Sequence, residues 1–193
     1  MCLAIVQPVG STIPIPHLHQ GWLHNPDGAG YAFVKDDEVV VKKGYSKLKE
    51  FLKDYTADVR DNEGSAFLLH FRIRTMGDRS DENTHPFIIP GGAMIHNGSL
   101  TGTAAKYNEG PSDTSAFASK FGSHLNYDFV YNKAKELGDA IGKYNKLAML
   151  YNTNRYVIVN EEEGVWQDRV WYSNSSYVRY GGSVDYPYMG DDE

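Results

Sequence analysis

Cysteine is almost missing from this chain: Cys2 is the single one among 193 residues. A lone thiol excludes an internal disulfide framework and fits a reducing compartment. Long apolar runs are missing too. No segment reaches membrane-spanning length, and the N-terminus has no basic stretch leading into an apolar one, so neither an anchor nor a secretory signal is read. Positive charge is thin: the net charge is −6 and the longest basic cluster is Lys42 and Lys43. That leaves no cationic footprint for phosphates, so nucleic acid is excluded as a direct partner, as is a membrane. Internal repeats are absent. A cytoplasmic chain is expected.

What is present suffices for one core. At 41% hydrophobic, the length suits a single domain over residues 2–180, followed by a Gly-rich, acidic and flexible tail over 181–193. CLAIVQ (2–7) reads as a buried strand. The stretch from Pro8 to Asp27 carries Pro14, Pro16 and Pro26 and reads as loop. AGYAFVKD and EVVVKKGYS form a hairpin around Asp36-Asp37. Leu48, Phe51, Leu52 and Tyr55 make the stripe of an amphipathic helix. SAFLLHFRI is a strand covered on both faces, with Arg72 inside its apolar run. FIIP and AMIHNG are predicted to pair around Gly91-Gly92. Two helices follow, over SDTSAFASKFGSHL and YDFVYNKAKELGDAIGKY, the first capped by Ser112 or Asp113. Short strands KLAMLYN, RYVIVN and VWQDRVWYSN close the chain. Strands, two helices and strands again predict an α+β layered fold with largely antiparallel sheets.

Polar residues gather where strand runs end, in HNPDGAG (24–30), HFRIRTMGDRSDENTHPF (70–87) and IHNGSL (95–100). Glycine turns at strand ends let backbone N–H groups and side chains converge on a ligand. A buried Arg72 needs a carboxylate, either an internal one or a substrate's. His96-Asn97-Gly98 reads equally as an ordinary Asn-Gly turn, and Asp113 as a helix cap. Cys2 itself reads as a small apolar residue or as a reactive thiol. His17 and His19, two apart, would face one side of a strand, but with His24 they lack a convincing zinc ligand set. His70, His85 and His96 are read as structural hydrogen-bonding groups, and Trp166 and Trp171 as core or sheet packing.

Taken together, Cys2, NPDGAG, HFRIRTMG, NTHP, HNG and SDT resemble, in the same order, the glutaminase domain of class II glutamine amidotransferases, an N-terminal-nucleophile family. Each motif alone is weak; their order over residues 2 to about 115 is specific. The chain differs from the family pattern at His24, where arginine is frequent, and at Ile73, Arg74 and Met76. The resemblance implies a four-layer αββα sandwich with Cys2 at the end of a central strand. It also implies roles. Cys2, after removal of Met1, would be the nucleophile and its α-amine the base, since an α-amine titrates at about 7.7–8.0. The Asn97 amide and the Gly98 N–H would form the oxyanion hole. Arg72 would hold the substrate α-carboxylate, Asp113 its α-ammonium, and Thr75 would add a hydroxyl contact. Asp27, Gly28 and Gly30 would shape a supporting turn.

The activity so implied is release of ammonia from L-glutamine through a γ-glutamyl thioester, without cofactor or metal. A separate ammonia-accepting synthase subunit is the expected partner, because no synthase domain follows in this polypeptide. Two alternatives stand beside it: an N-terminal-nucleophile amidohydrolase acting on another amide, and a non-catalytic relative that senses an amino acid.

Overall fold

The computed structural model describes residues 2–74, 81–100 and 110–178. Thr75, Met76 and the 181–193 tail lie outside them. The first strand, β1 (Leu3–Gln7), is buried along its whole length. It is followed by α1 (Ile15–His24), β2 (Ala29–Lys35), β3 (Glu38–Tyr45), α2 (Leu48–Asp61) and β4 (Phe67–Phe71). Next come β5 (Phe87–Ile89), β6 (Gly92–Asn97), α3 (Asp113–Phe121) and α4 (Tyr127–Ile141). The chain closes with β7 (Lys146–Tyr151), β8 (Tyr156–Val159), β9 (Val165–Gln167) and β10 (Val170–Tyr172).

The strands form two sheets, ordered β3-β2-β4-β1-β10-β9 and β5-β6-β7-β8, with antiparallel pairing throughout. Why the strands lack a polar face follows from where each side chain goes. Leu3 and Ile5 of β1 pack outward with Leu18 of α1 and with Phe51 and Tyr55 of α2. Their neighbours Ala4 and Val6 pack the other way, with Ile95, Ala148 and Leu150 of the second sheet. On that sheet's far side, Met94, Leu147 and Met149 meet Phe117 of α3 and Val130 of α4. A strand covered on both faces loses the apolar–polar alternation and reads as a continuous apolar run. The layers are therefore helices, sheet, sheet, helices: an α+β fold of αββα type.

Most predicted elements are present, and the differences have local causes. The 8–27 stretch is not all loop, because it contains α1. Pro16 sits in the helix's first turn, where a missing N–H costs nothing and the fixed φ favours the helix. The β2–β3 turn places Asp36 and Asp37 at φ 51° and 59°, the left-handed pair that matches hairpin twist. The second hairpin turns one residue earlier than predicted: Ile89 pairs with Gly92, leaving Pro90 and Gly91 in the turn. β4 ends at Phe71, so Arg72 stands just past the strand rather than inside it. Ser112, not Asp113, caps α3, its hydroxyl accepting the Ser115 N–H at 3.1 Å. Trp171 is buried as expected, whereas Trp166 is 43% exposed on the edge strand. Among the described residues, no helix is long and apolar enough to cross a membrane.

Candidate active site

β1 lies between β4 and β10, and its register fixes the neighbours of Cys2. Leu3 pairs with Phe71, so the next positions outward on the two strands are Cys2 and Arg72. Cys2 is half-buried, and its thiol donates to the Ile73 carbonyl at 3.4 Å. Burial pushes this thiol's pKa up; the Arg72 charge works against that and the Asp113 charge adds to it. Both charges thus act on the same sulfur, although Asp113 begins a helix in the opposite layer.

Arg72 is only 3% exposed, and its backbone is clasped by the 24–30 turn. Its N–H donates to the Gly28 carbonyl (2.8 Å) and its carbonyl accepts from the Asp27 N–H (2.9 Å). Asp27 also accepts the Arg74 N–H through its carboxylate, at 2.9 Å. The turn is therefore a support for the arginine segment, as the sequence predicts. Gly30 is required next to it, because a Cβ there would lie 2.2 Å from the His85 carbonyl oxygen.

On the second sheet, β6 delivers His96, Asn97 and Gly98 to the same end of the sandwich. Gly98 has φ +146°, and a Cβ on it would sit 2.3 Å from Oδ1 of Asn145. Only glycine satisfies both constraints. Asn145 and His96 pair at 3.0 Å, and the other ring nitrogen of His96 meets Thr114 Oγ1 at 2.8 Å. Asp113, beside Thr114, accepts the Leu100 N–H at 2.7 Å, tying the segment after Gly98 to the start of α3. Asp113 is therefore more than a helix-end residue: its carboxylate fixes the backbone that follows the HNG turn.

Three histidines fill the space between these groups. His70 Nε2 donates to the His96 carbonyl (3.0 Å), and the His70 ring stacks on His85 with centroids 3.9 Å apart. Burial lowers all three, His70 to about 3, His85 well below its ordinary value and His96 in the same direction. His85 departs from expectation, since neither of its ring nitrogens has a hydrogen-bond partner among the described residues. His17 and His19 lie on α1 and not on a strand, so two residues' spacing turns them apart; His17 Nδ1 meets the Tyr172 hydroxyl at 2.9 Å. No group of three His, Cys, Asp or Glu side chains that could hold a metal occurs among the described residues.

Two site residues were not singled out from the sequence. Ser173 and Asn174 follow β10, and nothing local marks them; only the pairing of β10 with β1 brings them here. Asn174 Nδ2 donates to the Cys2 carbonyl at 2.7 Å. Ser173 Oγ accepts the Ala4 N–H at 2.9 Å and lies 2.9 Å from Nδ2 of Asn97. This short chain of contacts joins β1, which carries Cys2, to Asn97 across the two sheets. His24 secures the same segment, its Nδ1 donating to the Ser176 carbonyl at 2.8 Å. A cavity of about 1000 Å³ lies elsewhere: it is mostly apolar and runs between α3 and α4 past Phe117, Phe121, Phe129 and Ile141.

Two antiparallel sheets lie between helix layers in an αββα sandwich, with the Cys2 thiol beside the end of a central strand. The solved structures agree. Glutamine phosphoribosylpyrophosphate (PRPP) amidotransferase from B. subtilis, complexed with ADP and GMP, superposes with a TM-score of 0.60 at 16% identity. That match covers 92% of this chain and 42% of the other. A structure described as the allosteric regulatory enzyme of purine biosynthesis gives a TM-score of 0.54 at 15% identity, with the same coverage of 92% and 42%. The chain thus spans less than half the length of the enzymes it resembles, and what it shares with them is the fold. No family model and no curated protein matches the sequence.

Proposed function

We propose that the chain is a glutaminase domain of the class II amidotransferase kind, releasing ammonia from L-glutamine through a thioester on Cys2. The observation that supports this reading is the register of β1 and β4, which sets Arg72 beside Cys2 at the strand ends, with the charges of Arg72 and Asp113 acting on the thiol in opposite senses. A free amino acid presents the complementary pair, an α-carboxylate for the arginine and an α-ammonium for the aspartate. Thr75, next along from Arg74, would add its hydroxyl to the same substrate.

Removal of Met1 exposes the α-amine of Cys2. The buried thiol is protonated at rest, so the amine takes its proton as sulfur attacks the γ-carboxamide carbon. The tetrahedral oxyanion is held by the Gly98 N–H and the Asn97 amide. The C–N bond then breaks, and the amine's extra proton leaves with the nitrogen as ammonia. Water attacks the thioester, giving its proton to the amine; the C–S bond breaks, releasing glutamate and returning the proton to sulfur. Glutamine and water become glutamate and ammonia, with no oxidant, metal or cofactor required.

Ammonia made this way is lost unless it is captured, so the reading calls for an ammonia-accepting synthase partner. The test is intact mass before and after exposure to a glutamine-analogue diazo-ketone, run beside glutamine turnover against a panel of other amides. Expected are loss of Met1, one adduct on Cys2 and turnover confined to glutamine, with Cys2→Ala still losing Met1 but showing neither adduct nor turnover. A Met1-processed protein that neither labels nor turns over glutamine overturns the reading.

A further inference from the structure

Arg72 and Asp113 belong to different layers, so their separation is set by whatever joins those layers near the site. The second sheet holds the start of α3 directly: Asp113 accepts the Leu100 N–H, and Thr114 meets His96. On the side of the first sheet the start of α3 is held by Asn83, a residue to which the proposed chemistry gives no role.

Asn83 ends a short helical turn, Asp81–Asn83, that contacts β3 on one side and α3 on the other. It is 2% exposed, and both ends of its amide grip the backbone just before Asp113. Oδ1 accepts the Ser112 N–H at 2.6 Å, and Nδ2 donates to the Gly110 carbonyl at 2.8 Å. Ser112 offers a hydrogen and Gly110 an oxygen, so the two ends of the amide cannot change places. Two bonds to this stretch of backbone fix the direction in which α3 starts, and with it the position of Asp113. The next residue, Thr84, is also buried and packs on Gly28, its Oγ1 3.4 Å from where a Cβ of that glycine would stand. Gly28 in turn accepts the Arg72 N–H. A continuous path therefore runs from Arg72 through Gly28, Thr84, Asn83 and Ser112 to Asp113.

We propose that Asn83 is a positioning residue that sets the spacing between Arg72 and Asp113, and so the preference for an amide carrying both an α-carboxylate and an α-ammonium group. The inference rests on the substrate contacts given to those two residues in the glutaminase reading, and not on the chemistry of Cys2. A pair of charges discriminates only when both reach the ligand at once. Without Asn83, the Ser112 N–H and the Gly110 carbonyl lose these bonds in a buried place, and the backbone shifts to find others. Arg72 keeps its own clasp from the 24–30 turn, so Asp113 is the member of the pair that moves.

The experiment measures binding to full-length Cys2→Ala protein, which takes turnover out of the readout. Calorimetry gives Kd for L-glutamine and for glutaramate, the same molecule without its α-ammonium group. In this parent, glutamine is expected to bind about tenfold more tightly or better. Adding Asn83→Ala is expected to weaken glutamine about tenfold and to leave glutaramate within about twofold, removing most of the preference. Asn83→Asp keeps the acceptor for Ser112 but not the donor for Gly110; its effect is expected to fall between, and it decides the matter if the alanine variant does not fold. Ser112→Ala loosens the same helix end but leaves the grip of Asn83 on the backbone, and the preference is expected to persist.

Equal weakening of both ligands, an unchanged preference in the Asn83 variants, or the same loss in Ser112→Ala overturns the proposal. So does a parent that binds the two ligands alike, whatever the turnover of the unmodified protein. A parent that prefers glutamine, beside an unmodified protein that never turns it over, overturns the glutaminase reading instead, and the Asn83 variants then still decide the positioning role.

Discussion

Replacing His85 with leucine tests the buried histidine cluster quantitatively. His70, His85 and His96 are respectively 0%, 4% and 2% exposed, and burial holds each below its ordinary pKa, His70 at about 3. The unfolded chain binds a proton on each near pH 6.5, whereas the folded chain does not. Below that pH the unfolded state carries more protons, so stability falls with acid and is fully present only above pH 6.5. For a histidine that stays neutral when folded, the loss between pH 7.5 and pH 5.5 is about 1.4 kcal/mol. His70, His85 and His96 all cost stability in this same direction over that interval. His85→Leu keeps a similar volume and removes two unpartnered ring nitrogens. Its stability at neutral pH is therefore not the readout; the pH-dependent part is. Urea unfolding at both pH values should show the variant losing about 1.4 kcal/mol less than the parent. An equal loss in the two proteins would mean that His85 titrates normally when folded and would refute the reasoning.

Gly98→Ala forces a side chain into a positive-φ position already filled by Asn145, and should cost about 2–4 kcal/mol through backbone strain and a displaced Asn145–His96 bond; an unchanged melting curve would exclude that geometry. Ser112→Ala removes the α3 cap and should cost about 1 kcal/mol in denaturant unfolding, with no loss meaning that the helix end is held by Asp113 alone. Asp113→Asn keeps shape but not charge, and is expected to raise KM for glutamine about tenfold while kcat falls less; a change in kcat alone would remove Asp113 from substrate binding.

How much was legible depended on whether a signal was local. The hairpin at Asp36-Asp37, α2 with Phe51 and Tyr55, and the paired helices all carry their own pattern within a dozen or so residues, and these are present. α1 was obscured because two prolines look like breakers unless one of them is placed in a first helical turn. Arg72 was located correctly in the chain but one step inside the strand, since an apolar run does not show where pairing stops. Ser173 and Asn174 carried no signal at all. Their position depends on β10 lying beside β1, with Tyr172 opposite Ile5, and such a pairing across more than 160 residues is decided by packing rather than by local sequence.

The same geometry bears on where the base for Cys2 comes from. A half-buried thiol held above its ordinary pKa needs a proton acceptor close by to become a nucleophile. The histidines nearest the site do not supply one. Both ring nitrogens of His96 are engaged by Thr114 and Asn145, and burial holds His70 and His85 well below the basicity that taking a thiol proton requires. The thiol's own contact is the Ile73 carbonyl, which accepts a hydrogen bond but has no useful basicity. Arg72 and Asp113 act on the sulfur with opposite sign, so neither overrides burial. What remains within reach of any residue 2 thiol is its own backbone nitrogen, which is a base only as a free amine. On the proposed glutaminase reading, reactivity depends on the loss of Met1 more than on any side chain, and a preparation retaining Met1 should fold as the processed protein does yet stay inert to the diazo-ketone.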